Sequence, residues 1–459
     1  MSREKITNEQ RELILKYIGM GWDKERIAKA VGVSRMQVAA VYAHRTMKTY
    51  EKAEGLRSAN RVRYKAKTLL PLPPLETPRG QTAVLIGEET ESRREVYWDP
   101  SPVSGMPNPH LMIIGESGYG KSYLAQCVIA ELARRNIPSV VFDYGQGFAS
   151  DTVPPEFTEF AMPVEISASE RGISLNPLTI YDADIRGPVN VAVRVSDTFS
   201  RIYNIGIQQH SLLRDTILTT FEDRGIYGED KSTWTNNPPS LSDVMLVLER
   251  ISKDKGYTER TTATKLKSHI STFFIFNTFR ETGERVSWQS LAERKNSVCV
   301  IQLKGLEGKT GKVVTEFLLW DLYNHLISSG PQPLHLFCVL DEAHNLSFEK
   351  DSPVEKLVRE GRKFGMGLIL ASQQPEDFSV TAYSNTSSKL VFQIFDDRGR
   401  ISKQLARKCM NFPNPEPISK IISKLPRGRA FFLTRNTGYI VTVLDFGERK
   451  KRWLDENGR

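Results

Sequence analysis

Hydrophobic and polar positions alternate between two periods along this chain. Near the start, apolar residues recur at helical spacing: Leu13, Ile14, Tyr17 and Ile18 share one face of 9–18, and Ile27, Ala28 and Val31 share one face of 22–31. Gly19 and Gly21 separate these two segments, and Gly32-Val33-Ser34 precedes a third over 35–44, with Ser34 suited to its N-cap. Farther on, short unbroken apolar runs take over, the mark of strands buried on both faces. They lie at 111–114, 139–144, 298–303, 336–340, 366–372, 390–395, 430–433 and 439–444. Val84-Leu85-Ile86-Gly87 and Glu95-Val96-Tyr97-Trp98 predict a hairpin. From 188 to 276 the pattern is helical again, with segments at 189–199, 211–221, 241–251 and 262–274. Strands alternating with helices predict an α/β fold with a mainly parallel sheet covered on both faces.

Charge divides this pattern further. The chain has 459 residues, with 63 Lys plus Arg against 54 Asp plus Glu, a net of +9. Residues 1–70 hold 16 basic and 7 acidic residues, so their net charge equals that of the whole chain and the remainder is balanced. A basic helical module points to an anionic partner, nucleic acid first and an anionic membrane surface second. Helix, glycine-containing turn, N-cap and helix resemble a helix-turn-helix, and Ile27-Ala28-Lys29-Ala30-Val31-Gly32-Val33-Ser34 looks like that motif in resolvase-type DNA-binding domains. In that geometry Ser34, Arg35, Gln37, Tyr42 and Arg45 would face DNA. A small helical bundle for protein contacts is the alternative. The basic stretch 48–67 either follows a phosphate backbone or forms a solvated helix, and Leu70-Pro71-Leu72-Pro73-Pro74-Leu75 reads as an extended linker.

No run approaches the ~18 apolar residues of a membrane-spanning helix. Cys127, Cys299, Cys338 and Cys409 form no C-x-x-C pair, which argues against zinc or a disulfide framework. The N-terminus lacks the apolar core of a signal peptide, so a reducing cytoplasm is expected.

The strongest chemical signal follows the apolar run Leu111-Met112-Ile113-Ile114. Gly115-Glu116-Ser117-Gly118-Tyr119-Gly120-Lys121-Ser122 is a complete G-x-x-x-x-G-K-S loop, and a helical pattern begins at Tyr123. Its backbone N–H groups converge on phosphates at a helix N-terminus. Lys121 supplies charge for the β and γ phosphates of ATP, and Ser122 is placed to ligate Mg²⁺. Gly308-Lys309-Thr310 imitates the end of this motif, but Leu303 stands where its first glycine belongs; that stretch reads as a loop.

A second apolar run, 336–340, ends at Asp341-Glu342-Ala343-His344, a Walker B pattern. Asp341 is expected to hold Mg²⁺ and Glu342 to polarise the attacking water. The spelling DEAH suggests a helicase of that class. However, the next strand ends in Gln373-Gln374-Pro375, and neither a Ser-Ala-Thr motif nor a second ATPase-like lobe follows.

A different family fits better. Asn108-Pro109-His110 leading into the phosphate loop, Val141-Phe142-Asp143, and Glu360-Gly361-Arg362-Lys363-Phe364-Gly365-Met366-Gly367 followed by Ala371-Ser372-Gln373 resemble the HerA–FtsK superfamily of ring-forming DNA-pumping ATPases, including HerA-like and conjugation ATPases. The resemblance covers about 95–446 and implies a P-loop NTPase (RecA-like) sheet, with a helical insertion and an N-terminal all-α helix-turn-helix domain. It implies that Gln373 senses the γ-phosphate and that an arginine from a neighbouring subunit completes the site. Arg362 and Arg359 are candidates, and Arg427 and Arg429 are further ones. HerA itself starts with a small β-barrel, which this chain replaces with the basic helical segment.

The expected organisation is a DNA-binding module over 1–68, a linker over 69–80, and the start of the ATPase domain over 81–149. A helical insertion over 150–290, the rest of the ATPase over 291–447, and an exposed charged tail over 448–459 complete it. Nucleotide-site residues are Gly115 to Ser122 together with Tyr123; Lys121, Glu342, Gln373 and Arg362 carry the chemistry. The expected function is a cytoplasmic, Mg²⁺-dependent ATPase forming a homo-oligomeric ring, hexameric by resemblance, that moves along DNA. The alternatives are an ATPase subunit of a defence or DNA-processing complex acting with a partner nuclease, and an ATP-controlled DNA-binding regulator.

Overall fold

A computed structural model of the chain describes residues 7–46, 80–254, 256–293, 297–306, 308–395, 416–434 and 438–457. The basic stretch 48–67 and the proline run 70–75 lie outside the described residues. The chain divides into two compact units, residues 1–70 and 71–459.

In the first unit, α1 (Asn8–Gly19), α2 (Lys24–Val31) and α3 (Arg35–Thr46) enclose a small core of Ile14, Ile27, Val38 and Val41. Asp23 caps α2 through the N–H groups of Glu25 and Arg26, and Gly32 ends it in the left-handed conformation that glycine tolerates (φ +70°). Tyr17 stacks on Trp22 at 4.5 Å, with the Arg26 guanidinium 4.2 Å from the Trp22 ring.

The second unit is built on one sheet of eleven strands. They are β1 (Val84–Glu89), β2 (Glu95–Trp98), β3 (Leu111–Ile114), β4 (Ser139–Asp143), β5 (Pro163–Ser167), β6 (Val298–Gln302), β7 (Leu336–Leu340), β8 (Met366–Ser372), β9 (Ser388–Val391), β10 (Arg429–Leu433) and β11 (Gly438–Val443). Their order is β2-β1-β11-β10-β9-β3-β8-β7-β4-β6-β5. From β9 to β5 every pairing is parallel; β10, β11, β1 and β2 extend the sheet antiparallel. The parallel strands alternate between two cores: Met112 and Ile114 join one, Leu111 and Ile113 the other.

On the second face lie α4 (Lys121–Arg134), α5 (Pro155–Ala161) and α15 (Phe446–Asn457). The first core takes α6 (Pro188–Tyr203), α7 (Ile207–Asp223), α8 (Leu241–Asp254), α9 (Tyr257–Phe276), α10 (Trp288–Glu293), α11 (Lys309–Ser329), α12 (Pro353–Glu360), α13 (Val380–Ser384) and α14 (Glu416–Ile422). The helical excursion shares that core: Val195, Phe199, Phe221 and Phe273 are continuous with Met112 of β3. The stretch expected as a helical insertion, 150–290, also supplies the edge strand β5, paired with β6.

Two local expectations need correction. The Gly308-Lys309-Thr310 stretch is the start of α11 rather than a loop. Lys309 Nζ donates to the Tyr203 carbonyl at 3.3 Å and lies over that ring, so packing employs it. The charged C-terminal stretch is not an exposed tail but α15. Phe446, Arg449 and Trp453 recur at helical spacing and are buried. Arg449, fully buried, donates to the carbonyls of Leu85, Ile86 and Leu444 and lies 3.1 Å from Glu131 on α4. Trp453 Nε1 donates to the same Glu131 oxygen at 3.1 Å. Burial of Arg449 depends on these acceptors, because a buried guanidinium without them would be costly.

Candidate nucleotide site

The phosphate loop leaves β3 at Gly115 and delivers Lys121 and Ser122 into the first turn of α4, whose N-terminus has no side-chain cap. A β-carbon at Gly115 would fall 2.5 Å from Cβ of Phe392, so the loop closes there with glycine alone. Gly115 N–H donates to Ser372 O at 3.3 Å and Glu116 N–H to Gln393 O at 2.9 Å. The Glu116 carboxylate accepts from Phe395 N–H at 2.9 Å. These bonds explain why the strand expected over 390–395 ends at Val391: the chain beyond it pairs with the phosphate loop. Phe392 and Gln393 therefore support the site, a role their apolar-run context concealed.

Lys121 is buried, and its Nζ donates to the Glu116 carbonyl at 3.1 Å. Burial pulls its ammonium below the usual lysine range, against the charges of Glu342, Asp341 and Glu116. The Tyr123 hydroxyl accepts from Phe446 N–H at 2.9 Å, so this side chain ties α4 to α15.

Asp341 and Glu342 follow β7, separated from β3 by β8 alone. Burial, reinforced by the charges of Glu342 and Asp143, pushes the Asp341 carboxyl up to about 7. Its Oδ1 is buried with no hydrogen-bond partner among the described residues. Glu342 adopts a left-handed backbone (φ +50°, ψ +55°), uncommon for a residue with a side chain and frequent at functional sites. Its carboxylate meets Gln373 Nε2 at 3.4 Å from each oxygen, and His344 Nδ1 at 3.2 Å.

The loop after β4 completes this cluster. Asp143 accepts from the N–H groups of Gly145, Gly147 and Phe148 at 3.1, 3.2 and 2.8 Å, and from Gln302 Nε2 at 2.9 Å. Gln126 Nε2 donates to Gly147 O at 2.6 Å. So held, Gly147 faces both metal-ligand candidates: a β-carbon there would lie 3.5 Å from Ser122 Oγ and 3.5 Å from Asp341 Oδ2. The unpartnered Asp341 oxygen and the gap kept open by Gly147 fit a hydrated Mg²⁺ shared with nucleotide phosphates. Among the described residues no cluster of three or more His, Cys, Asp or Glu could hold a metal alone. The signal for this loop was available as Asp143-Tyr144-Gly145-Gln146-Gly147 directly after an apolar run.

The arginine candidates separate cleanly. Arg362, exposed in the turn after α12, donates through Nη1 to the Pro107 carbonyl, before β3. The phosphate loop opens at the other end of that strand, about 13 Å away along four residues. Arg362 is therefore not brought to its own chain's phosphate loop. Arg359 pairs with Glu355 on α12. Arg427 is exposed and Arg429 opens β10; between them Gly428 N–H donates to Tyr119 O at 3.2 Å, which lays this turn on the phosphate loop.

In the N-terminal unit, Ser34 and Gln37 form a capping box on α3: Gln37 N–H donates to Ser34 Oγ at 3.2 Å and Ser34 N–H to Gln37 Oε1 at 2.7 Å. Both side chains serve the helix start. Arg35 is exposed and pairs with Glu25 at 3.2 Å. Tyr42 and Arg45 lie on α3, with side chains outside the described residues.

A family model described as the central domain of the helicase HerA matches residues 86–322. The chain belongs to the HerA helicase family. The DNA double-strand break repair helicase HerA of Sulfolobus acidocaldarius is 22% identical over 368 residues, covering 76% of this chain and 66% of that protein. Two probable helicases of Methanocaldococcus jannaschii match over 28% and 22% of their own lengths, so the chain spans only part of each of these relatives. VirB4 of Thermoanaerobacter pseudethanolicus shares the fold with a TM-score of 0.63 at 15% identity, over 80% of this chain and 98% of that one. The plasmid coupling protein TrwB in complex with ADP and Mg²⁺ does so with a TM-score of 0.51 at 14% identity, over 73% and 85%. The fold is that of the P-loop NTPases of this superfamily: a mixed, mostly parallel sheet with helices on both faces. Among the described residues no helix is long and apolar enough to cross a membrane.

Proposed function

We propose that the chain is a Mg²⁺-dependent ATPase that assembles head-to-tail into a ring and moves along DNA. The observation that carries this reading is the split arrangement of its chemistry. Lys121, Ser122, Asp341, Glu342 and Gln373 gather at the C-terminal ends of adjacent strands, where ligands bind in open α/β sheets. Arg362 sits at the opposite end of β3 with its guanidinium exposed. A subunit built this way offers a phosphate site at one end and an arginine at the other, which suits a closed ring of heterologous contacts.

In this reading the loop N–H groups and Lys121 orient the ATP phosphates. Ser122 and Asp341 hold Mg²⁺, which when bound supplies charge stabilisation to the transferred phosphoryl group. Glu342 accepts the proton of the attacking water, and Gln373 bridges that carboxylate and the γ-phosphate position. Arg362 of a neighbouring copy would stabilise the charge that develops. The basic N-terminal unit binds DNA, its α2–α3 pair acting as a helix-turn-helix with Arg35 the exposed reader among its described side chains.

The test combines DNA-stimulated ATP hydrolysis with mass measurement, for the full chain and for a chain lacking residues 1–70. Stimulation by duplex DNA that appears with ring-sized assemblies supports the motor. Hydrolysis at full rate by a monomer, indifferent to DNA, would reject it and favour an ATPase awaiting a protein partner.

A further inference from the structure

Asn108 stands between two prolines, so in Pro107-Asn108-Pro109 it owns the sole backbone N–H. That N–H donates to Ser387 Oγ at 3.1 Å. The Asn108 side-chain oxygen accepts twice, from His110 N–H and from Ser387 N–H, each at 3.1 Å. His110, buried one residue before β3, takes Leu368 N–H on Nδ1 at 3.0 Å, and its carbonyl accepts from Ser388 N–H. The short turn 107–110 is thereby fastened to β8 and to the start of β9. Its Pro107 carbonyl receives the guanidinium of Arg362.

The Arg362 backbone is fixed separately, its carbonyl accepting from Gly365 N–H at 3.3 Å. The long side chain beyond it has no rotamer fixed by burial, because Arg362 is exposed. What aims it is one carbonyl, and what aims that carbonyl is Asn108. A guanidinium has five N–H donors, so a bond to Pro107 leaves most of the fork available for an anion. Holding a donor in place before the reaction removes its ordering cost from the transition state.

We infer that Asn108 is a positioning residue for Arg362: it sets the Pro107 carbonyl that pre-aims the guanidinium toward a neighbouring copy's nucleotide. This rests on the reading of Arg362 as the arginine donated in trans. Because the same turn leads into β3, the arginine offered outward and the chain's own phosphate loop hang from opposite ends of one four-residue strand. The Asn-Pro-His sequence before the phosphate loop thus acquires a task distinct from nucleotide contact.

The experiment measures steady-state ATP hydrolysis of the full chain, with assembly checked by mass, for Arg362→Ala, Asn108→Ala, Asn108→Asp and the double variant Asn108→Ala/Arg362→Ala. Loss of a trans arginine lowers kcat by about 10³-fold. Asn108→Ala is expected to lower kcat by about tenfold while KM for ATP stays within about twofold. Asn108→Asp keeps the accepting oxygen and should restore most of kcat. The double variant should be no slower than Arg362→Ala alone, since Asn108 then has nothing to aim. A double variant slowed by the product of the two effects, or an Asn108→Ala enzyme with unchanged kcat, overturns the inference while leaving the trans arginine standing. Normal kcat in Arg362→Ala removes the trans reading and this inference with it. Should Asn108→Ala fail to fold, Ser387→Ala loosens the same turn and carries the same expectations.

Discussion

Gln373 holds its amide nitrogen 3.4 Å from both carboxylate oxygens of Glu342. The equal distances place the amide astride the carboxylate, at the outer limit of a hydrogen bond, where a competing acceptor can draw it away. A γ-phosphate oxygen arriving beside it would be such an acceptor. Gln373 would then release Glu342 when nucleotide is in place, linking the state of the site to the availability of the base. Glu342→Gln should therefore retain ATP binding and lose about 10²–10⁴-fold in turnover, the usual worth of a positioned base. Gln373→Ala should lose less in kcat and respond less to the γ-phosphate, seen as similar affinities for ATP and ADP. Steady-state hydrolysis together with nucleotide titration checks both, and normal turnover in Glu342→Gln would remove it as the base.

Gly147 provides a test of the metal cradle that leaves every proposed ligand in place. A methyl group there would stand 3.5 Å from both Ser122 Oγ and Asp341 Oδ2, in the space a hydrated cation would share. Gly147→Ala should raise the Mg²⁺ concentration needed for half-maximal hydrolysis by about tenfold, the scale of a change beside a metal's ligands. Binding of nucleotide without Mg²⁺ should change little. An unaltered Mg²⁺ titration would show that the cation does not lie against this loop.

Much of this arrangement was legible in the sequence because its causes are local. Strands such as Val298–Gln302 and Leu336–Leu340 are buried on both faces, so they appear as unbroken apolar runs. The phosphate loop is a contiguous motif whose backbone needs are met by its own glycines. What escaped depends on distant partners. Arg449 looked like a solvated charge because Glu131 and the carbonyls of Leu85 and Ile86, which make its burial tolerable, lie more than 300 residues earlier. Phe392 and Gln393 support the site through packing and backbone bonds, which carry no side-chain motif. Ser34 was legible as the N-cap of α3, but its reciprocal partner was not: Gln37, read only as facing DNA, closes a capping box with it at three-residue spacing.

The anchoring of α15 predicts a large stability effect from one substitution near the C-terminus. Arg449→Ala removes the donor to three carbonyls and the buried partner of Glu131, and should cost about 3 kcal/mol or more. Arg452→Ala, which breaks a more exposed pair with Glu88 and Glu95, should cost less than about 1 kcal/mol. Denaturant midpoints of the two variants decide the matter; equal, small effects would mean that α15 is not locked to α4.

His110 predicts an acid-sensitive step in stability. Burial, aided by the Arg362 charge and opposed by the Val358 backbone, pulls its imidazole down to about 4 from 6.5. Its Nδ1 accepts from Leu368 N–H, which needs the neutral ring. A base with a depressed folded-state value contributes stability in full above its unfolded value and loses it as pH falls from 6.5 toward 4. The contribution at neutral pH is about 3 kcal/mol. His110→Asn keeps an acceptor without a titrating proton, so its stability gap from the original protein should narrow as the pH drops from about 7 to about 4.5, because the unfolded chain's imidazole takes up a proton there that the folded one does not, while the other titrating groups are common to both proteins. A gap independent of pH would show that His110 does not bear this cost.

The net charge, finally, makes a prediction about salt. Residues 1–70 hold an excess equal to the full +9, and the remainder of the chain is neutral overall. Long-range attraction to DNA should therefore arise in the N-terminal unit. Each phosphate it neutralises adds about −0.9 to the slope of log affinity against log salt. Removing residues 1–70 should flatten that slope by several units while basal ATP hydrolysis persists, because Lys121, Asp341, Glu342 and Gln373 all lie in the other unit. Within the N-terminal unit, Arg35→Ala should lower affinity with a slope change near one if its contact is to phosphate, whereas Ser34→Ala should act mainly by weakening the cap of α3. DNA binding measured across a salt series for these proteins separates the cases. An unchanged slope after deletion would place the DNA grip in the ATPase unit, where local charge clusters can act despite a net of zero.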